Sequence, residues 1–223
     1  MRKHKAALWI AIPGAILVLG VMAFAIFEPI QVLPRIRLAP GYSLTDQSAA
    51  QITSEDARGD VVLYSFGYAG CGSACEGTER TVSEVKERID EVDLGDVDVR
   101  FITVSFNPDD DTPEVLETEA ARAGADGDVW RYATGEPAHV ANVVRAGFKA
   151  YYEEKDDGSF KFDPTLILVD GWGVIRGEYK YQTLLSDADK IIRHLNLLGD
   201  EIRNSNGAST LAYEAAHFFL CYP

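Results

Sequence analysis

Positive charge is scarce in this chain. Lysine and arginine number 21 against 35 aspartates and glutamates, a formal net charge of −14. Past the N-terminus the imbalance sharpens. Arg2, Lys3, Lys5, Arg35 and Arg37 precede Leu38 with Glu28 as their one acidic companion, so 16 cations face 34 anions beyond it. Such a surface repels anionic lipid and excludes nucleic acid as a partner. It attracts cations and basic proteins, and it equally serves solubility or adaptation to salt. Cysteine is scarce too. The chain has three, Cys71, Cys75 and Cys221, an odd number that leaves one thiol over if the first two pair. There is no internal repeat and no low-complexity tract.

One long uncharged run is present. Ala7 to Phe27 is 21 apolar residues, a length that suits a bilayer crossing. Arg2, Lys3 and Lys5 precede it and Glu28 comes directly after. Charge asymmetry therefore keeps residues 1–6 in the cytoplasm and places everything after Phe27 outside. Ala23-Phe24-Ala25 has the form of a signal-peptidase site, but the run is long for a signal-peptide core, so an uncleaved anchor over 7–27 is expected. No cysteine lies in it, which argues against a lipoprotein. The expected location is the cell membrane, single-pass, with an extracytoplasmic C-terminal domain. Residues 28–41 read as an extended linker broken by Pro29, Pro34 and Pro40.

The stretch from Val61 to Thr81 is the centre of the remaining chain. Val61 to Phe66 is β-branched and aromatic, a buried strand. Gly67 to Gly70 is a turn. Cys71 and Cys75 come next. Then Val82, Val85, Ile89 and Val92 recur at spacings of three and four, the apolar stripe of an amphipathic helix. Two cysteines thus sit where a strand hands over to a helix N-terminus. The dipole and free N–H groups there stabilise a thiolate, which is both nucleophile and metal ligand. If both cysteines are helical, their i, i+4 spacing sets them on one face roughly 6 Å apart at Cα, close enough for a disulfide. The same pair can chelate a soft cation such as Cu(I). The bland alternative is two small core residues. Gly72, Ser73 and Ala74 make a poor core, and the flanking turn points to exposure.

Around this centre the pattern alternates strand and helix. Leu44 to Arg58 reads as a short hairpin with a helical turn at Thr53–Asp56. Val97 to Ser105 reads as a second buried strand, so strand, helix and strand form a parallel βαβ unit. Thr112 is an N-cap with Pro113 at the first helical position, and that helix runs to Ala123. Asp111 beside it is a lesser candidate for shaping the cysteine site. A further helix is expected over Glu136 to Gly147 with Val140, Val143 and Val144 inward and His139 on its surface. Lys149 to Glu153 reads as a short strand and Glu154 to Ser159 as a flexible loop. Thr165–Asp170 and Val174–Tyr179 form a hairpin around Gly171-Trp172-Gly173. A last helix, capped by Ser186, runs to Leu198, with His194 in solvent. Residues 201–223 form a tail, helical over Leu211 to Phe219. His217 and Cys221 are i, i+4 on it, so they are either part of a docked apolar tail or a second pair of ligands.

Three stretches resemble one family. FGYAGCGSACEGT (Phe66–Thr78) resembles the SCO/SenC proteins, membrane-anchored thioredoxin-like proteins with a C-x-x-x-C-P motif. VSFNPDDDTPEVL (Val104–Leu116) is similar to that family's V-S-x-D-P-x-x-D-T-P-x-x-L. Trp130 to Gly135, with Phe148, Tyr151 and Tyr152 after it, is similar to a third segment. The resemblance implies a thioredoxin-like α/β domain over residues 42–200, a central sheet with helices on both faces. It implies that Cys71 and Cys75 form a redox dithiol and bind copper. Two departures stand out. Glu76 replaces the proline after the second cysteine. The family's third copper ligand, a histidine before the strand Thr165–Asp170, is missing from Phe160 to Pro164, and by spacing Phe162 takes its place. Asp163-Pro164-Thr165 looks instead like the cis-proline segment of thioredoxins, with Pro164 facing the cysteines.

Three functions compete. The resemblance implies a copper metallochaperone for the copper centre of a respiratory oxidase. Cys71 and Cys75 suffice for Cu(I), and a folded-back tail bringing His217 and Cys221 would supply the missing ligand. The second is a thiol–disulfide oxidoreductase acting on another cysteine-bearing protein, with Cys71 attacking and Cys75 resolving. The third is a structural or assembly subunit of a respiratory membrane complex.

Overall fold

The run Val61–Gly67 forms a strand, β4, in which all seven residues are buried. Its side chains alternate between two cores. Val61 and Leu63 face one, and Val62, Tyr64 and Phe66 face the other. A strand covered on both faces needs apolar side chains at every position, hence the continuous hydrophobic run.

The computed structural model describes residues 12–16, 18–20, 22, 31–180, 187–204, 213–214 and 216–217. After β4 the chain enters α1 (Ser73–Glu87) and returns through β5 (Val99–Ser105), which pairs with β4 in parallel from Val61↔Val99 to Gly67↔Ser105. Helix α2 (Pro113–Ala123) then leads to β6 (Trp130–Thr134), parallel to β5. Thr112 is the N-cap residue of α2 with Pro113 just inside, and left-handed Gly124 closes it. Strands β9 (Thr165–Val169) and β10 (Val174–Lys180) form an antiparallel hairpin, and β9 pairs antiparallel with β4. Strands β1 (Arg37–Leu38), β2 (Ser43–Asp46) and β3 (Gln51–Thr53) complete an eight-stranded sheet of order β1-β10-β9-β4-β5-β6-β2-β3.

Helices α1, α2 and α4 (Ala188–Arg203) cover one face through Val82, Val85, Leu116, Ile191, Leu195 and Leu198. The other face is covered by α3 (Pro137–Ala141), the π turn Asn142–Gly147 that continues it, and Phe148. This is a thioredoxin-like α/β fold.

Several expectations change. Residues 31–41 are not a linker. Val32 and Leu33 have no exposed surface, and β1 pairs with β10 through Arg37↔Ile175. Pro34 and Pro40 flank that two-residue edge strand and leave its pairing N–H groups intact. The loop after Tyr152 is half hairpin: β7 (Tyr152–Glu154) pairs with β8 (Phe160–Phe162). His194 is buried, its Nδ1 2.7 Å from the Tyr179 hydroxyl. Asp187 caps α4 through its carboxylate, while Ser186 lies outside the described residues. Among the described residues no helix is long and apolar enough to cross a membrane. Most of residues 7–27 lie outside that description.

Candidate functional site

Strand β4 ends at Gly67, and Tyr68 to Gly72 carry the chain off the sheet edge into α1. Gly70 and Gly72 both have positive φ, 77° and 53°. That pair of left-handed residues turns the chain sharply enough to put Cys71 just outside the helix and Cys75 in its first turn. Cys71 is therefore not helical. Its N–H reaches back to the Tyr68 carbonyl at 3.2 Å, and the Cys75 N–H reaches the Gly72 carbonyl at 3.0 Å. The two cysteines are joined in a disulfide with Cα atoms 5.7 Å apart.

The disulfide is more enclosed than its turn suggested. Cys71 is 9% exposed and Cys75 4%. Gly67 lies directly beneath it: a Cβ there would stand 3.0 Å from Cys75 Sγ and 3.8 Å from Cys71 Sγ. Glycine at the end of β4 thus makes room for the sulfurs. Ala69, two residues before Cys71, donates its N–H to the Asp111 carboxylate at 2.9 Å. Ser105 Oγ, at the end of β5, donates to the same carboxylate. Burial pushes the Asp111 carboxyl up, and those two hydrogen bonds pull it down. Asp111 is the residue that sequence reasoning undervalued. Its position before the N-cap of α2 explained it fully as a helix start, and its partner lies 42 residues away.

An aromatic wall stands beside the cysteine turn. Tyr68 lies 4.9 Å from Phe160 and 6.1 Å from Phe162 between ring centroids. Phe106 lies 5.2 Å from Phe162 and stacks on Tyr152 at 4.6 Å. The segment expected to hold a histidine therefore carries packed phenyl rings. Asp163-Pro164 comes next, and its peptide bond is trans, since the described chain contains no cis peptide. This corrects the expectation for Pro164. An X–Pro bond favours trans by about 0.5–1 kcal/mol, and the two-residue step from β8 to β9 keeps that preference.

The tail does not bring His217 to this site. His217 Nε2 lies 3.0 Å from Glu201 Oε1. Glu201 also pairs with Arg176 at 2.5 Å, and Arg176 with Asp170 at 2.9 Å. Val169 faces Val62 and Leu166 faces Ser65, so Asp170 lies beyond the Val61 end of β4. Cys71 lies beyond the Gly67 end. Seven strand residues separate the two by roughly 20 Å. Cys221 lies outside the described residues. Of the other histidines, His139 Nε2 accepts the Ser43 N–H at 3.3 Å, and His194 is the buried partner of Tyr179. Among the described residues, the donor atoms that gather at the cysteines are carboxylates, those of Glu79 and Glu119.

The SCO1/SenC family profile matches residues 32–198. The chain belongs to the SCO1/SenC family. The match begins at Val32, the first buried residue among those described. A SCO1 protein homolog of Bacillus subtilis is 22% identical over 116 residues, 52% of this chain and 58% of that protein. The chain thus matches a little over half the length of that relative. Among solved structures, BsSco is a member of the Sco family of cytochrome c oxidase assembly proteins in which a disulfide switch was identified. It superposes with a TM-score of 0.64 at 22% identity, covering 76% of this chain and 97% of that one. Arabidopsis thaliana ScoI with copper bound superposes with a TM-score of 0.61 at 18% identity, covering 71% and 98%.

Proposed function

We propose that this SCO1/SenC protein handles copper and dithiol redox chemistry in assembling the copper centre of a respiratory oxidase. The observation that carries the reading is the Cys71–Cys75 disulfide at the N-terminus of a 15-residue helix. Opened, it is a dithiol whose Cys75 sulfur lies at the positive end of the helix dipole, where the thiolate form is favoured. Two thiolates bind Cu(I) in linear geometry on loss of two protons. Opening takes two electrons from a partner dithiol; closing passes two electrons to a partner disulfide and releases the metal. A disulfide switch in BsSco and bound copper in Arabidopsis ScoI support both halves of the cycle.

In this reading residues 7–27 anchor the protein to the cell membrane, the domain stands outside the cytoplasm, and copper is cargo. The client is an oxidase subunit that receives the metal.

A second reading keeps the redox chemistry and drops the metal. It is favoured by the absence of a histidine from the cysteine turn among the described residues. Cys71, the more exposed residue of the pair, attacks a client disulfide and forms a mixed disulfide. Cys75 then displaces the client's second sulfur, leaving the client reduced by two electrons and this pair oxidised.

A Cu(I) competition titration of the full chain, reduced and oxygen-free, separates the two. Copper handling requires one tight equivalent that disappears in Cys71→Ser/Cys75→Ser. No tight site, or one indifferent to that change, leaves the oxidoreductase.

A further inference from the structure

Beside the disulfide lies a set of oxygen donors that the two-sulfur reading does not use. Glu79, one turn after Cys75 on α1, and Glu119, on α2, bring carboxylate oxygens to Cys71 Sγ. The three donor atoms lie within 4.8 Å of one another. Both carboxylates are well enclosed, 14% and 12% exposed. A cation already sits between them. Arg122 Nη2 is 2.7 and 2.8 Å from the two oxygens of Glu79 and 2.7 Å from Glu119 Oε1. The Tyr132 hydroxyl donates to Glu79 Oε1 at 3.3 Å and holds that carboxylate in place. Arg122 itself is half exposed.

The chemistry of these donors complements the pair. Cu(I) is soft and content with two thiolates. Cu(II) asks for harder nitrogen or oxygen donors in addition, and no imidazole is at hand among the described residues. Two carboxylates held by one guanidinium leave one negative charge over, and opening the disulfide adds two acidic thiols. Arg122 is half exposed, so its guanidinium can swing out to water, and the metal must offset the contacts it gives up to two enclosed carboxylates. Ligands sharing one metal stand about 3–4 Å apart when metal–ligand bonds are about 2.0–2.3 Å. The 4.8 Å limit on Cys71 Sγ and the two carboxylate oxygens is about an ångström wider than that spacing.

We propose that, once the disulfide opens, Glu79 and Glu119 join Cys71 and Cys75 as ligands for Cu(II), and that Arg122 holds the site closed until the metal displaces it. The inference deepens the copper reading and rests on it.

The test uses the full chain in detergent, reduced and oxygen-free. Cu(I) affinity is read by competition. Cu(II) affinity is read by titration, and its ligands by electron paramagnetic resonance and the thiolate-to-copper absorption band. In Glu79→Gln/Glu119→Gln, Cu(II) affinity is expected to fall roughly tenfold or more with a changed resonance spectrum, while Cu(I) affinity holds. In Arg122→Gln, Cu(II) affinity is expected to rise, because the competing cation is gone. A purely structural ion pair predicts a fall there, so this variant decides the matter even if the double variant does not fold. Unchanged Cu(II) affinity and spectrum in the double variant, or weaker binding in Arg122→Gln, overturns the inference while leaving the dithiol reading intact. A wild-type chain that takes neither copper ion overturns both.

Discussion

The Asp111 carboxylate accepts the Ala69 N–H at 2.9 Å and ties the loop after β5 to the turn that presents Cys71. Ser105 Oγ meets the same carboxylate from below. The cysteine turn is thus fastened at its base by a buried side chain from another βα loop, and its conformation does not rest on the two glycines alone.

Removing that fastening has a defined effect. Asp111→Ala leaves the Ala69 N–H and the Ser105 hydroxyl without their acceptor, at about 1–3 kcal/mol of stability. Asp111→Asn keeps one oxygen acceptor and is expected to retain most of it. Chemical denaturation measures the difference, and the reduction potential of the cysteine pair is expected to move in Asp111→Ala. Equal stability in wild type and Asp111→Ala contradicts the role.

Gly67→Ala places a methyl group 3.0 Å from Cys75 Sγ. The sulfurs are most confined when bonded to each other, so the oxidised form suffers more than the reduced one. Overpacking of this kind costs about 1–3 kcal/mol. The expected result is a disulfide that is easier to reduce, read as a higher reduction potential, with a smaller change in the stability of the reduced chain.

Stability depends on pH through His194. Burial is the main cause that lowers its pKa from 6.5 to about 4, with Lys190 and Arg193 adding to it. Folding therefore takes up the neutral ring. The unfolded chain binds a proton below pH 6.5 that the folded chain does not, so this contribution is complete above pH 6.5. It is lost progressively as pH falls toward 4, by about 3 kcal/mol in all. Denaturation midpoints between pH 7 and 4 are expected to fall, and less steeply in His194→Gln. Identical slopes contradict the assignment.

The N-terminal boundary is equally testable. The Leu33 and Pro34 carbonyls accept hydrogen bonds from the buried Arg176 guanidinium at 2.9 and 3.2 Å. A chain beginning at Tyr42 loses β1, both carbonyls and the buried side chains of Val32 and Leu33. It is expected to melt well below a chain beginning at Gln31, and Leu33→Ala alone is expected to cost about 2–5 kcal/mol. Circular dichroism on heating reads both.

Much of this architecture was legible from the sequence. The Val61–Phe66 run, the stripe of Val82 and Val85 and the Gly171–Gly173 hairpin each carry a local signal, because period, caps and turn residues are properties of neighbouring positions. The parallel pairing of β4 and β5 followed from their order, strand, helix and strand. What escaped depends on partners far along the chain. Residues 31–41 look like a linker until β10, some 140 residues later, supplies the strand they pair with. His194 looks solvated until Tyr179 is seen above it. Phe162 reads only as the residue in a missing histidine's place until Tyr68 and Phe106 provide the aromatic wall. At the site, Cys71 and Cys75 declared themselves by spacing. Glu79, Glu119 and Arg122 did not, since an acidic chain offers many such residues and only the α1–α2 contact selects these.

Copper loading as a function of redox state is the decisive measurement. The full chain is poised at a series of thiol–disulfide potentials without oxygen, and bound Cu(I) is counted beside free thiols by alkylation. Copper handling through the pair predicts one equivalent of Cu(I) wherever Cys71 and Cys75 are free, none where they are joined, and a single midpoint shared by both readouts. Copper bound equally at every potential, or a pair that cycles without ever binding copper, contradicts it.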